Sequence, residues 1–136
     1  MNSTYFKKAR ALAAELADTL DHAGDVLTDY VNDELSCTPY ALSTAAKSLA
    51  QRLDEARDDD TMQEMICDYQ QFAGLLRASA LGLRAEIDRV APGKEESAAR
   101  LAVSAVRAAV GMTEAISENL TSMVLAYVAA ARRVTA

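Results

Sequence analysis

Apolar residues recur at intervals of three and four along almost the whole chain, in four runs that turn residues separate. This interval matches the 3.6-residue period of an α-helix, so each run predicts an amphipathic helix with one buried face. Both prolines, Pro39 and Pro92, lie at the breaks between runs, where they interrupt no helix interior. The pattern predicts four helices, at approximately residues 4–34, 39–57, 61–90 and 94–133.

The apolar stripe of each predicted helix is the face that we expect to enter the core. The stripes are, in chain order, Tyr5, Ala9, Leu12, Leu16, Leu20, Ala23, Leu27 and Tyr30; Leu42, Ala45, Ala46, Leu49, Leu53 and Ala56; Met62, Met65, Ile66, Tyr69, Phe72, Ala73, Leu76, Ala80, Leu83, Ile87 and Val90; and Ala98, Leu101, Ala102, Ala105, Ala109, Met112, Ile116, Leu120, Met123 and Tyr127. Alanine is frequent and aromatic residues make up only 5% of the chain, so we expect helices that pack closely through small side chains.

Polar residues at the starts of the runs supply helix caps. Ser3 or Thr4 can cap the first helix, because a side-chain oxygen can accept from a free N–H of the first turn. Thr38 followed by Pro39 predicts the start of the second helix, with proline at the first helical position. Thr61, with a glutamate three residues later, forms the pattern of a capping box for the third helix.

The helix lengths and connections predict the architecture. The chain has 136 residues, which suits one domain, and its short connections favour antiparallel neighbours. At 1.5 Å per residue the fourth helix is about 60 Å long and the second is under about 30 Å. An even bundle cannot be built from these lengths, so the fourth helix must project or bend, or part of the bundle must be three helices thick. We predict an all-α antiparallel four-helix bundle with a long C-terminal helix.

Charge and hydropathy narrow the classes of partner. The net charge of −6 argues against binding to nucleic acid, whose phosphates need a surface rich in Lys and Arg. The longest charge-free stretch, residues 119–131, is too short to span a bilayer. Glu15 and Asp18 interrupt the apolar run that a signal peptide would need. We expect a cytoplasmic protein that binds neither nucleic acid nor membranes.

The second half of the fourth helix has almost no polar face. Between residues 101 and 131 the charged side chains are Arg107, Glu114 and Glu118. Either this is a central helix that its own chain surrounds, or a second copy or another protein covers its distal half. On the second interpretation the apolar anchors are Met123, Val124, Tyr127 and Val128.

Four aspartates at spacing four form a ladder on the predicted first helix. The aspartate ladder consists of Asp21, Asp25, Asp29 and Asp33. Like charges at this spacing repel by roughly 0.2–0.5 kcal/mol per pair, so the ladder requires an explanation. It is either a solvated face, paired with Arg77, Arg84 or Arg89 of the third helix, or a docking ridge for a basic partner.

The sequence shows no motif for catalysis or for a cofactor. His22 is the only histidine, which disfavours metal sites built from several helices, and the glycines are isolated rather than grouped in a phosphate loop. A phosphotransfer role for His22 is disfavoured because Asp21 and Asp25 would repel a phosphoryl group. We predict no catalytic residue, no metal site and no cofactor.

These observations favour a non-enzymatic protein–protein interaction module. Such a protein would be a small acidic adaptor, chaperone or inhibitor that covers a partner surface, a class that includes secretion chaperones and phage-encoded inhibitors. We expect a protein partner, a basic one if the aspartate ladder docks, and a homodimer formed through the C-terminal helix. The alternative is a sensor or carrier bundle that holds a small apolar ligand between alanine-lined helices.

Overall fold

The protein is an all-α bundle of four helices with a long C-terminal helix, as the sequence predicts. The computed structural model describes residues 3–135, with side chains described through Val134, and it contains no strand within that range. The helices are α1 (Thr4–Tyr30), α2 (Cys37–Glu55), α3 (Asp59–Val90) and α4 (Glu96–Thr135), with a 3₁₀ turn at Asp33–Ser36 between the first two.

Ion pairs between neighbouring helices show that they run antiparallel. Arg10, near the start of α1, pairs with Asp54, near the end of α2, at 2.7 Å. Arg52 of α2 pairs with Asp68 of α3 at 2.6 Å. The longest helix, α4, packs mainly along α1 and α3, whereas α2 packs mainly on α1 and contacts α3 less. The seam between α2 and α3 is therefore the least extensive interface between consecutive helices.

The core is built from large aliphatic side chains separated by alanines. The largest fully buried side chains include Leu16, Leu20, Leu27, Leu53, Met62, Met65, Tyr69, Leu76, Ile87, Ile116 and Leu120. The hydroxyl group of Tyr69 is buried without a hydrogen-bond partner among the residues that the structure describes. Burial also raises the pKa of Tyr69, because the interior disfavours the charged phenolate.

At Gly24, the side chain of Tyr40 from α2 packs against the backbone of α1. A Cβ atom at this position would lie 2.4 Å from Cε1 and 2.6 Å from Cδ1 of Tyr40. The tyrosine ring thus lies directly against the α1 backbone, and its hydroxyl donates to Oδ1 of Asp25 at 2.5 Å. Only glycine leaves room for this ring in its present position.

The first two helices differ from the sequence prediction at their facing ends. Ser3 caps α1 by accepting from the N–H of Phe6 at 3.0 Å, which selects one of the two predicted caps. The helix ends at Tyr30 rather than near residue 34, and the 3₁₀ turn that follows leads directly into α2. Thr38 is therefore not a cap: it lies inside the first turn of α2, which begins at Cys37.

The third and fourth helices also begin away from their predicted starts. Asp58, not Thr61, caps α3, and it accepts from both the N–H and the hydroxyl of Thr61 at 2.7 Å. Between α3 and α4 the backbone turns at Gly93, whose φ of 72° lies in the left-handed region that favours glycine. Helix α4 then begins at Glu96, two residues later than predicted.

Four residues of the predicted stripes, at positions 5, 30, 101 and 127, face solvent instead. Leu101 is 52% exposed, while Val103 and Val106 of the same helix are buried. At the start of α1, Tyr5 is 40% exposed and its neighbour Phe6 enters the core. Helices with apolar residues on more than one face leave the choice of buried face to tertiary packing.

Candidate interaction surfaces

The last part of α4 extends beyond the other helices and is exposed on every side. Every residue from 125 to 134, which we call the α4 tail, is exposed. Leu125 is 63% exposed, Tyr127 58% and Val134 87%. At 1.5 Å per residue, the tail is about 15 Å long. The chain's own helices thus do not surround the whole of α4, and projection, one of the alternatives that the helix lengths allow, is present.

The four predicted anchors divide between the bundle and the α4 tail. Met123 is 5% exposed and belongs to the core, so its prediction as a surface anchor is wrong. Val124 is half-buried at the boundary, and Tyr127 and Val128 lie in the tail. Leu125 is an exposed apolar residue that the stripe pattern missed, because it lies on a different face of the helix.

The α4 tail carries uncharged side chains along most of its length and charged side chains only in its last turn. Tyr127 follows Leu120 and Met123 at helical spacing and continues the stripe that is buried further up the helix, while Val124, Val128 and Val134 follow one another at intervals of four and six residues. Two arginines, at positions 132 and 133, follow in the last turn, where cations interact favourably with the helix dipole. Within residues 3–135, no helix is long and apolar enough to cross a membrane.

The first aspartate of the ladder is tied to α2. The carboxylate of Asp21 is 36% exposed and pairs with the ammonium group of Lys47 at 2.9 Å. Hydrogen bonding with the nearby Ser43 hydroxyl and with the Lys47 ammonium group lowers the pKa of Asp21. Asp21 is therefore part of the α1–α2 interface rather than a free docking residue.

The second aspartate also contacts α2, but from the surface. Asp25 is exposed and accepts the hydroxyl proton of Tyr40, and this hydrogen bond raises the pKa of the tyrosine. Asp29 is exposed near the end of α1. Asp33 is exposed too, but it lies in the 3₁₀ turn beyond the helix, so the prediction of four aspartates on one helix is wrong at this position.

The arginines of α3, considered above as possible partners of the ladder, pair elsewhere. Arg77 pairs with Glu114 of α4. Arg84 pairs with Asp88 at 2.5 Å and with Glu96 of α4 at 3.0 Å. Arg89 pairs with Glu86 one turn before it. These pairs lie within α3 and between α3 and α4, so the three arginines do not pair with the ladder.

An apolar groove lies on the seam between α2 and α3. Ala45 and Leu49 line one side, and Phe72 and Leu75 line the other. Leu75 is 51% exposed and was not part of the predicted stripe, because its neighbour Leu76 occupies the core position. The groove is open and shallow because α2 and α3 contact each other only slightly.

Groups with catalytic or metal-binding potential are dispersed. His22 is exposed on α1, and the two cysteines, Cys37 and Cys67, are free and exposed. Among the described residues, no group of three or more His, Cys, Asp or Glu side chains could hold a metal ion. The most distinctive surface in the described part of the chain is therefore the α4 tail.

No protein-family model matches this chain, and no curated protein or solved structure shows a significant similarity to it.

Proposed function

We propose that this protein is a non-enzymatic interaction module that covers a partner surface and that the α4 tail is its docking element. The observation that carries the proposal is the exposure of ten consecutive helical residues, among them Leu125, Tyr127, Val128 and Val134. Contiguous exposed apolar surface on a folded protein marks an interaction site or an aggregation hazard. The protein would act as a small adaptor, chaperone or inhibitor.

The α4 tail is already helical before it binds a partner. The tail continues a helix whose preceding turns are buried against α1 and α3, so its helical conformation is supported before any partner arrives. Binding then costs little ordering of the backbone, which favours affinity. Tyr127 is the best single anchor, since tyrosine supplies a large apolar area and a polar tip at low entropic cost.

In this proposal the exposed part of the aspartate ladder also contributes to partner binding, through its charge. Asp25, Asp29 and Asp33 are exposed, and the arginines of α3 do not neutralise them. A negative surface of this kind steers a basic partner and mainly affects the association rate and its salt dependence. We therefore propose a protein partner, with the tail supplying the apolar contact and the ladder supplying long-range attraction.

The proposal includes self-association through α4 and a cytoplasmic location. Self-association would cover the apolar tail with a second copy. Two free, exposed thiols suit a reducing compartment such as the cytoplasm.

A matched pair of tyrosine variants tests the docking role of the tail. Tyr127→Asp places a charge in the tail, whereas Tyr30→Asp places one at a tyrosine of similar exposure, 61%, at the end of α1. We expect Tyr127→Asp to abolish dimerisation and capture of other proteins from the source lysate, and Tyr30→Asp to leave both unchanged. Both variants should keep the helical content of the native protein. Unchanged mass and unchanged capture in Tyr127→Asp would contradict the proposal.

A further inference from the structure

We propose that the cleft between α3 and the first half of α4 binds a phosphate-bearing small molecule through two arginines of α4. The cleft has a volume of about 500 Å³ and is lined by Arg84, Glu96, Arg100, Val103, Ser104 and Arg107. It lies on a different part of α4 from the tail, so this inference goes beyond the proposed function and does not depend on it. The local charge, the spacing of the arginines and the size of the cleft support it.

Two ion pairs join α3 to α4 on the side where the cleft opens. Arg84 pairs with Glu96 at 3.0 Å, and Arg77 pairs with Glu114 further along both helices. Asp88, one turn after Arg84, also pairs with that arginine, at 2.5 Å. The two arginines of α3 are thus matched by carboxylates, and any excess of positive charge must come from α4.

The stretch between these two ion pairs contains no acidic residue. Residues 78–83 of α3 carry no charge, and the charged side chains of residues 97–113 of α4 are Arg100 and Arg107. Even when the three carboxylates that pair with α3 are counted, the four arginines of this side leave one excess positive charge. A local positive region on a protein whose net charge is −6 attracts a small anion to this place.

The two arginines of α4 are available to a ligand. Arg107 is exposed and forms no ion pair with any residue in the described range. Arg100 contacts Glu96 at 3.3 Å, but its side chain is 76% exposed. Exposed ion pairs contribute little to stability, so Arg100 can exchange this contact for one with an anion at small cost.

Arg100, Ser104 and Arg107 lie on one face of α4, since their intervals are four and three residues. At 1.5 Å per residue, Ser104 is about 6 Å along the helix axis from one arginine and about 4.5 Å from the other. Both long side chains can therefore reach an anion that also accepts from the Ser104 hydroxyl group. A guanidinium group donates two parallel N–H bonds to such an anion.

The α3 side of the cleft is held in place. The side chain of Arg84 is 26% exposed, and its contacts with Asp88 and Glu96 fix its guanidinium group. Val103, which is 3% exposed, forms an apolar floor. We expect Arg84 to contribute charge and shape to the cleft, while the two arginines of α4 contact the ligand.

The size of the cleft and the type of its donors indicate the class of ligand. Its volume lies within the range of roughly 300–1,000 Å³ that is typical of small-molecule sites. Its basic residues are all arginines, whose planar fork matches phosphate and carboxylate oxygens. A terminal phosphate group offers three acceptor oxygens to the two arginines and the serine hydroxyl, whereas a carboxylate offers two. The donors therefore favour a phosphate group.

Titration of the whole chain with pyrophosphate tests the site. Isothermal titration calorimetry and ¹H–¹⁵N correlation spectra are recorded at constant ionic strength, with sodium chloride replacing the ligand in the blank. We expect saturable shifts of the amide signals of residues 100–107. Arg100→Gln and Arg107→Gln should each raise the Kd about tenfold, because each removes a charge-assisted pair of hydrogen bonds. Absence of saturable shifts into the millimolar range would overturn the proposal.

Arg89→Gln is the matched control for net charge. Arg89 is an arginine of α3 outside the cleft, with a side chain 71% exposed and paired with Glu86. Its loss changes the net charge of the protein as much as the loss of Arg107, yet the Kd for pyrophosphate should stay unchanged. An equal rise of the Kd in both variants would show that net charge alone controls binding, and would overturn the site. Circular dichroism spectra should be the same for all variants, since the substituted side chains are exposed.

Two further ligands separate a phosphate site from other uses of the same charges. Inorganic phosphate should bind more weakly than pyrophosphate and shift the same amide signals. A hexaglutamate peptide should compete poorly with pyrophosphate. Strong binding of the peptide without binding of pyrophosphate would overturn the phosphate ligand and indicate an acidic protein partner instead.

Discussion

Replacing Gly24 with alanine should destabilise this protein, although the same change in an ordinary helix interior stabilises. Alanine is favoured over glycine within a helix by about 1 kcal/mol, because glycine loses more backbone entropy on folding. At Gly24, however, the new Cβ atom would lie 2.4 Å, 2.6 Å and 2.8 Å from three carbon atoms of the Tyr40 ring. Carbon atoms in contact normally lie about 3.5–4.0 Å apart, so the ring or the helix must move by about 1 Å.

Either movement removes native contacts. If the ring rotates away, Tyr40 loses its packing on α1 and its hydrogen bond to Asp25. If α2 moves instead, the adjoining interface between Asp21, Ser43 and Lys47 is disturbed. Overpacking of this kind costs about 1–3 kcal/mol. Set against the helix-propensity gain, the expected net change is a loss of about 0–2 kcal/mol.

Gly82 and Gly74 provide matched controls within α3. A Cβ atom at either position would meet no atom within 4 Å, so Gly82→Ala and Gly74→Ala should each stabilise by about 0.5–1 kcal/mol. The difference between Gly24→Ala and a control should therefore be about 1–3 kcal/mol. For a chain of this length, 1 kcal/mol corresponds to about 3–4 °C in Tm. Urea unfolding would measure the change in the free energy of unfolding and thermal unfolding the change in Tm, both followed by far-UV circular dichroism at one protein concentration.

A double variant identifies the cause. With Tyr40→Ala the ring is absent, and Gly24→Ala should then stabilise as the controls do. If Gly24→Ala in the native background raised stability as much as Gly82→Ala, the close packing of Tyr40 on α1 would be refuted.

Two further changes test single contacts in the bundle. Tyr69→Phe removes a buried hydroxyl that has no partner among the described residues, so it should raise the free energy of unfolding by about 1 kcal/mol in urea titrations; a clear loss would show that the hydroxyl is hydrogen-bonded. Asp21→Asn should lower Tm at neutral pH. The pKa of Asp21 is lower in the folded protein than in the unfolded chain, so the ionised carboxylate stabilises the fold at pH values above the unfolded pKa. That contribution is lost as the pH falls through the folded pKa, so the native and variant Tm values should converge in strongly acidic buffer; a constant difference at all pH values would refute the assignment.

The helices could be predicted from the sequence because their stripes are long and regular, but their ends could not. In the stretch from Asp58 to Thr61 several residues are competent caps, and Asp58 takes the role because it is the one in an extended conformation, while Asp59 and Asp60 enter the positive end of the helix dipole. At α2 the proline still lies in the first turn, where its missing N–H has no partner to lose, so the helix can begin before it.

The interaction surfaces were only partly predictable for a different reason. The apolar composition of the second half of α4 is visible in the sequence, and its exposure depends on where α1 and α3 end relative to it. The partners of the aspartate ladder depend on tertiary neighbours as well: Lys47 and Tyr40 reach Asp21 and Asp25 only because α2 folds back along α1. Spacing along one helix cannot supply that information.

The packing of α1 mainly against α4 has a consequence for synthesis of the chain on the ribosome. The core side chains of α1, such as Leu16 and Leu20, are completed by α4, which is made after α1, α2 and α3. At translation rates of about 5–20 residues per second, roughly 5–20 s separate the emergence of α1 from that of its main partner. During this interval the apolar face of α1 is covered only in part, by α2. We therefore expect the nascent chain to need protection of this apolar face, and the bundle to close only once α4 has emerged.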